Sequence, residues 1–152
     1  MKARELMTPK PRTCEPDQDL ARAVRIMREE DCGIVPVTEG NGEGRVVGVV
    51  TDRDIALYLG ENDKSPSKVR VGEVMTRDVV AVEPDADAEE VSRRMQDAQV
   101  RRILVTEAGR LIGVISTADL ARASSASNRD EMGEKVERVM ESVSEPSGRP
   151  RS

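Results

Sequence analysis

Histidine, tryptophan and phenylalanine are absent from the 152 residues, and Tyr58 is the single aromatic. Without imidazole, one chain has neither histidine acid–base chemistry nor a His-containing zinc site; without aromatic faces it has no platform on which bases stack. The two cysteines, Cys14 and Cys32, are too few for a disulfide framework or a four-ligand metal site. They read as small apolar side chains kept reduced in a cytosol. Both lie in or beside expected strands of the same half of the chain, so a disulfide or shared metal stands as the second reading. An excess of basic charge is also missing, since 24 Lys and Arg face 29 Asp and Glu, net -5, with no basic run. That argues against nucleic acid as a partner. Apolar runs such as residues 46–50 fall far short of the ~18 residues of a membrane span, and the opening Met1-Lys2-Ala3-Arg4-Glu5 has no apolar secretory segment. The expectation is a soluble cytoplasmic protein with no membrane contact.

What is present is a repeat. Glu5-Leu6-Met7-Thr8 recurs as Glu73-Val74-Met75-Thr76, and Glu15-Pro16-Asp17-Gln18-Asp19 as Glu83-Pro84-Asp85-Ala86-Asp87, at one constant offset. Met27 then falls on Met95 and Val37-Thr38-Glu39 on Val105-Thr106-Glu107. The register slips by three residues at a Gly-rich turn, residues 40–44, whose counterpart is only Ala108-Gly109; such length changes are tolerated in loops. Beyond it, Arg45-Val46-Val47-Gly48-Val49-Val50-Thr51-Asp52-Arg53-Asp54 aligns with Arg110-Leu111-Ile112-Gly113-Val114-Ile115-Ser116-Thr117-Ala118-Asp119.

Each copy reads as strand, helix, strand, strand, helix. Leu20, Ala23, Val24 and Met27 have the spacing of one helical face behind Pro16 and a capping Asp17 or Asp19; Ala88, Val91, Met95 and Ala98 repeat it. Residues 34–38 with 46–50, and 103–106 with 111–115, are hairpin signals whose near-continuous apolar character implies burial on both faces. A unit of roughly 55 residues is marginal alone, so the copies should pack together. The expected organisation is a first copy over residues 1–64, a linker over 65–72, a second copy over 73–124, and a tail over 125–152 with a short helix at 131–143.

The chemically suggestive feature is the junction of each second hairpin strand with the helix after it. Thr51-Asp52-Arg53-Asp54 and Ser116-Thr117-Ala118-Asp119 both match Ser/Thr-x-x-Asp. A hydroxyl at the N-cap and an acid three residues on is the spacing of a capping box, and capping is the simpler reading. It does not exclude a ligand, because a helix N-terminus with a hydroxyl also receives anions, and a carboxylate accepts from vicinal ribose hydroxyls.

These two motifs, the twofold repeat and Gly33-Ile34-Val35-Pro36-Val37 resemble tandem cystathionine-β-synthase (CBS) domains, the Bateman module, over about residues 5–123. Bacterial stand-alone CBS-pair proteins are the nearest likeness. The resemblance implies an α+β fold of two β-α-β-β-α repeats packed sheet to sheet with pseudo-twofold symmetry. It also implies two clefts between the repeats that take adenosine-containing ligands such as AMP, ADP, ATP, NAD or S-adenosylmethionine, with no cofactor required and no metal site. By the same resemblance Asp54 and Asp119 would hold ribose hydroxyls, and Thr51 and Ser116 would face phosphate. Ile34 and Pro36 would form an adenine slot flanked by Thr13 and Cys14.

The second copy departs from that pattern, with Arg101, Arg102 and Leu104 where the first has Gly33, Ile34 and Pro36. That favours phosphate over a bare nucleoside, although two arginines before a strand are equally read as a solvated pair. Arg53 has Ala118 at its matching position, so the two sites should differ in charge and occupancy. The expected function is a regulatory adenosine-ligand module, homodimeric and acting on an unidentified partner protein. Two alternatives stand beside it: a structural or interaction dimer with empty clefts, and a thiol switch through Cys14 and Cys32. An enzyme is not expected, because neither the cysteines nor Asp52 and Asp54 have an evident base or orienting partner.

Overall fold

The computed structural model describes residues 1–40 and 44–127. In chain order the elements are α1 (Ala3–Leu6), β1 (Thr8–Pro9), α2 (Leu20–Glu30), β2 (Ile34–Glu39), β3 (Arg45–Thr51), α3 (Asp52–Glu61), a 3-10 turn (Pro66–Lys68), α4 (Val71–Val74), β4 (Ala81–Val82), α5 (Ala88–Ala98), β5 (Arg102–Glu107), β6 (Arg110–Ser116) and α6 (Thr117–Ser127). The fold is α+β, and both copies contain a short lead-in helix, a long helix, a hairpin and a closing helix. The helix expected at 131–143 and the tail lie outside the described residues.

The two long leading helices begin and end alike because their sequences carry the same stops. Asp19 accepts from the Arg22 backbone N–H at 3.1 Å, and Asp87 from Glu90 at 2.8 Å. Each carboxylate satisfies a donor that the first helical turn leaves unpaired. Asp31 and Gln99, 68 residues apart, end these helices in the left-handed region at φ 50 and 54. In α2 the buried arc is Leu20, Ala23 and Ile26, whereas Val24 is 40% exposed. At about 100° per residue Val24 sits roughly 100° from the centre of that arc, so Ile26 takes the core place that spacing assigned to Val24. Ala98, at the last position of α5, is likewise exposed rather than part of its stripe.

The hairpins match residue for residue. Ile34 faces Thr51 and Pro36 faces Val49 in β2–β3; Arg102 faces Ser116 and Leu104 faces Val114 in β5–β6. Each ladder shifts at the same place, between Val37 and Thr38 and between Val105 and Thr106. Ala108 and Gly109 turn the second hairpin with both φ positive, 53 and 80, the conformation that follows strand twist in a two-residue turn. The expected first strand is short. It is β4 in the second copy, parallel to β5, and in the first it shrinks to Cys14 bridged to Val37.

The described residues form two compact units whose limits differ from those of the repeats: residues Pro11–Val79 in one, Met1–Lys10 with residues 80–127 in the other. Each unit therefore contains the helices and hairpin of one copy and the lead-in of the other. In the first unit Val69 and Val71 join Leu20, Ile26, Val35 and Val50 in an aliphatic core. The Leu20 N–H donates to the Val69 carbonyl at 2.9 Å, and the Val71 N–H to the Gln18 carbonyl at 2.8 Å. In the second unit Ala3 and Leu6 join Val91, Met95, Ile103 and Ile115. There Ala88 N–H reaches Met1 O at 2.9 Å and Ala3 N–H reaches Ala86 O at 2.7 Å. The matching bonds show that one lead-in geometry is built twice.

Candidate functional site

The candidate site of the first unit is the N-terminus of α3. Thr51 leaves β3 extended and caps the helix: its Oγ1 accepts from the Asp54 N–H at 3.0 Å, while Asp54 Oδ2 accepts from the Thr51 N–H at 3.2 Å. The capping box expected from spacing is therefore real. It uses one carboxylate oxygen. A hydroxyl from outside the motif joins that oxygen, since Thr76 Oγ1 donates to Asp54 Oδ2 at 3.4 Å. Asp54 is half-buried, and its Oδ1 has no partner among the described residues. Arg53 is exposed beside it, its backbone N–H donating to Asp52 Oδ1 at 2.8 Å.

Thr76 is placed by the exchanged lead-in. Val49 N–H donates to its carbonyl at 2.9 Å and its own N–H donates to the Val49 carbonyl at 2.7 Å. This pairing runs directly over Gly48, where a Cβ would stand 2.7 Å from the Thr76 oxygen and 3.1 Å from Met75 Sδ. Gly113 has the same duty in the second unit, where a Cβ would lie 2.7 Å from Met7 Cγ while Thr8 pairs with Val114. At Gly48 the neighbour that excludes a side chain is the Thr76 backbone, whereas at Gly113 it is the Met7 side chain.

The structure brings Ile34, Pro36, Thr51 and Asp54 to one end of the β2–β3 hairpin, as Ile34 pairs with Thr51 and Pro36 with Val49. Ile34 is half-buried and offers apolar surface; Pro36 is buried and its carbonyl accepts the Cys14 N–H at 3.1 Å. Thr13 is half-buried one residue before that contact. Cys14 is 1% exposed, and burial pushes its thiol up to about 11, against the opposing pull of Arg22. Such a thiol stays protonated at neutral pH. Cys32 donates through Sγ to the Ile34 carbonyl at 3.3 Å, and both cysteines are free.

In the second unit Ser116 and Asp119 form the same box, with Asp119 N–H to Ser116 Oγ at 3.1 Å and Ser116 N–H to Asp119 Oδ2 at 2.8 Å. Here the other oxygen is taken as well, because Arg122 Nη2 donates to Asp119 Oδ1. Thr8 occupies the ladder position that Thr76 has in the first unit, yet makes no side-chain hydrogen bond to Asp119 among the described residues. Arg101 and Arg102 are half-buried and both are engaged; the Arg101 carbonyl accepts the Thr117 N–H at 3.0 Å. Leu104 is buried, and its N–H donates to the Val80 carbonyl at 3.2 Å. Sequence reasoning missed Thr76 and Arg122. The threonine that closes both Glu-x-Met-Thr motifs was the available signal for the first, and the i,i+3 spacing from Asp119 for the second.

Among the described residues no group of three or more Cys, Asp and Glu side chains is arranged to hold a metal ion, and no helix is long and apolar enough to cross a membrane. Comparison with known proteins places these features. A family model described as CBS domain matches residues 3–61 and again 71–126. The chain is 34% identical over 128 residues to the uncharacterized protein YlbB of Bacillus subtilis, covering 84% of this chain and 85% of that one. It is similar to the crystal structure of Hypoxic Response Protein I with two coordinated zinc ions, at TM-score 0.71 and 30% identity, over 80% of this chain and 98% of that one. It is also similar to the crystal structure of CBSX2 in complex with AMP, at TM-score 0.72 and 29% identity, over 84% and 98%.

Proposed function

The chain belongs to the CBS-domain family, as two repeats, and from that membership we propose that it is a non-catalytic regulatory module binding an adenosine-containing ligand, with Asp54 as the ribose acceptor. The carrying observation is the Oδ1 of a half-buried Asp54, which has no partner among the described residues and stands on the residue that the Thr51 and Thr76 hydroxyls contact. A carboxylate there takes the donors of a sugar, and the dipole of α3, whose first amides are already engaged, favours the phosphate that follows. The apolar face of Ile34 receives the base without an aromatic partner. The AMP found in the CBSX2 structure supports this ligand class. Asp119, with both oxygens occupied, is the weaker acceptor, and this carries the expected asymmetry between the copies further.

Burying about 150 Å² of adenine contributes at most roughly 4 kcal/mol, and a charged hydrogen bond about 1.5–3 kcal/mol. Less the ordering cost, that corresponds to about micromolar to millimolar affinity, suited to abundant nucleotides. Bound ligand would act on a cytoplasmic partner protein by favouring one of two arrangements of the module. Calorimetry with AMP, ADP, ATP, NAD and S-adenosylmethionine tests the reading. Asp54→Ala weakens the ligand that binds by about tenfold or more, and Asp119→Ala has a smaller effect. Unchanged affinity in Asp54→Ala removes the ribose role; no binding by any of the five removes the function.

A second reading, a homodimeric interaction protein, is favoured by Val24 and Leu57, large apolar side chains left 40% and 52% exposed on α2 and α3. Light scattering on Leu57→Glu, showing monomers where the parent gives dimers, would support it.

A further inference from the structure

At the N-terminal end of α2 the first unit has a cavity of about 560 Å³ that the adenosine reading does not use. Its walls come from two stretches far apart in sequence: Asp17, Asp19, Arg22 and Arg25 on one side, Lys68 and Arg70 on the other. All four cations are exposed, and none of their charged groups has an ion pair or hydrogen bond among the described residues, although the Arg70 backbone N–H donates to Glu73 Oε2 at 2.8 Å. Asp19 is already committed to the Arg22 backbone N–H at 3.1 Å, whereas Asp17 has no hydrogen-bond partner among those residues. Four cations against two carboxylates is a local reversal in a chain whose net charge is -5.

The second copy supplies an internal control. Its frame is the same: Lys2 bridges to Asp87 as Arg70 does to Asp19, and the two lead-in hydrogen bonds recur. Its charges are not. Glu90 stands where Arg22 does, with Arg93 Nη2 at 3.9 Å from its carboxylate, and Lys2, in the place of Arg70, donates through Nζ to the Asp85 carbonyl at 3.3 Å. The repeat architecture thus does not require a basic cavity here, and one copy has it while the other is internally compensated.

We propose that this cavity binds a small polyphosphorylated metabolite. The volume is that of a small-molecule site. Guanidinium groups take phosphate oxygens in pairs, and three of them with a lysine ammonium match several phosphate charges, more than a single carboxylate offers. Asp17 adds an acceptor for a hydroxyl of the same ligand. Because the lead-in and α2 both line the cavity, an occupant would tie residues 68–70 to α2.

Inorganic tripolyphosphate is the probe, titrated calorimetrically into the full chain at low salt. One saturable site is expected, weakening as salt rises. Arg22→Glu introduces the residue the second copy already carries at this position, so the fold tolerates it; it should weaken binding at least tenfold. Arg28→Glu, the same charge change on α2 away from the cavity, should leave binding within about threefold once bulk charge is screened. Asp54→Ala should not alter it, and Arg22→Glu should leave the affinity for the adenosine ligand unchanged, which together separate this site from the adenosine site. Absence of saturable binding, equal losses in Arg22→Glu and Arg28→Glu, or loss in Asp54→Ala would each overturn the proposal.

Discussion

Replacing Gly48 by alanine puts a methyl carbon where the Thr76 carbonyl oxygen is 2.7 Å away and the Met75 sulfur 3.1 Å. Carbon and carbonyl oxygen settle at ~3.3–3.6 Å, so the Thr76 segment must retreat by about 0.6 Å. The two hydrogen bonds between Val49 and Thr76, at 2.9 and 2.7 Å, then stretch to or beyond the ~3.2 Å limit of good geometry. Each contributes about 0.5–1.5 kcal/mol, and forcing a methylene into packed surroundings costs ~1–3 kcal/mol by itself. Since these overlap, the expected destabilisation is about 2–4 kcal/mol in urea unfolding. Gly60 is the control. It lies in α3 with nothing within 4 Å of an added Cβ, so Gly60→Ala should stabilise by about 0.5–1 kcal/mol through helix propensity. The Thr76 hydroxyl would also withdraw from Asp54, so adenosine-ligand affinity should fall in Gly48→Ala and stay unchanged in Gly60→Ala. Stability of Gly48→Ala within 0.5 kcal/mol of the parent, by about the spread of neutral surface changes, would refute the close approach.

Two further predictions concern titration. Cys14, 1% exposed with its thiol held near 11 by burial, should react with a maleimide only on unfolding at pH 7.5, while half-buried Cys32 reacts in the native state; equal rates would contradict the placement of Cys14. The hydrogen bond from Arg4 at 2.7 Å holds the Asp85 carboxyl below its ordinary value. Its stabilising contribution is present above the unfolded-state value and lost as pH falls through the lowered folded one. NMR titration should show the Asp85 midpoint rising in Arg4→Ala, and an unmoved midpoint would refute the pairing.

The repeat, the helices with their aspartate caps and the two hairpins were readable along the chain, because these follow from spacing within a few residues. The Thr51/Asp54 and Ser116/Asp119 boxes were legible for the same reason. Which lead-in each hairpin receives was settled by packing, since Thr76 meets Val49, and Arg4 meets Asp85 across 81 positions, through contacts that no local pattern encodes. Packing also decided that Asp54 keeps an oxygen without a partner among the described residues while Asp119 does not, although the two motifs read alike. The basic cavity belongs to the same class: Arg22 and Arg70 are unremarkable charges along the chain, and their meaning arises where folding sets them around one space. Local geometry is written in neighbouring residues, whereas a site's electrostatics are summed over side chains that only packing makes neighbours.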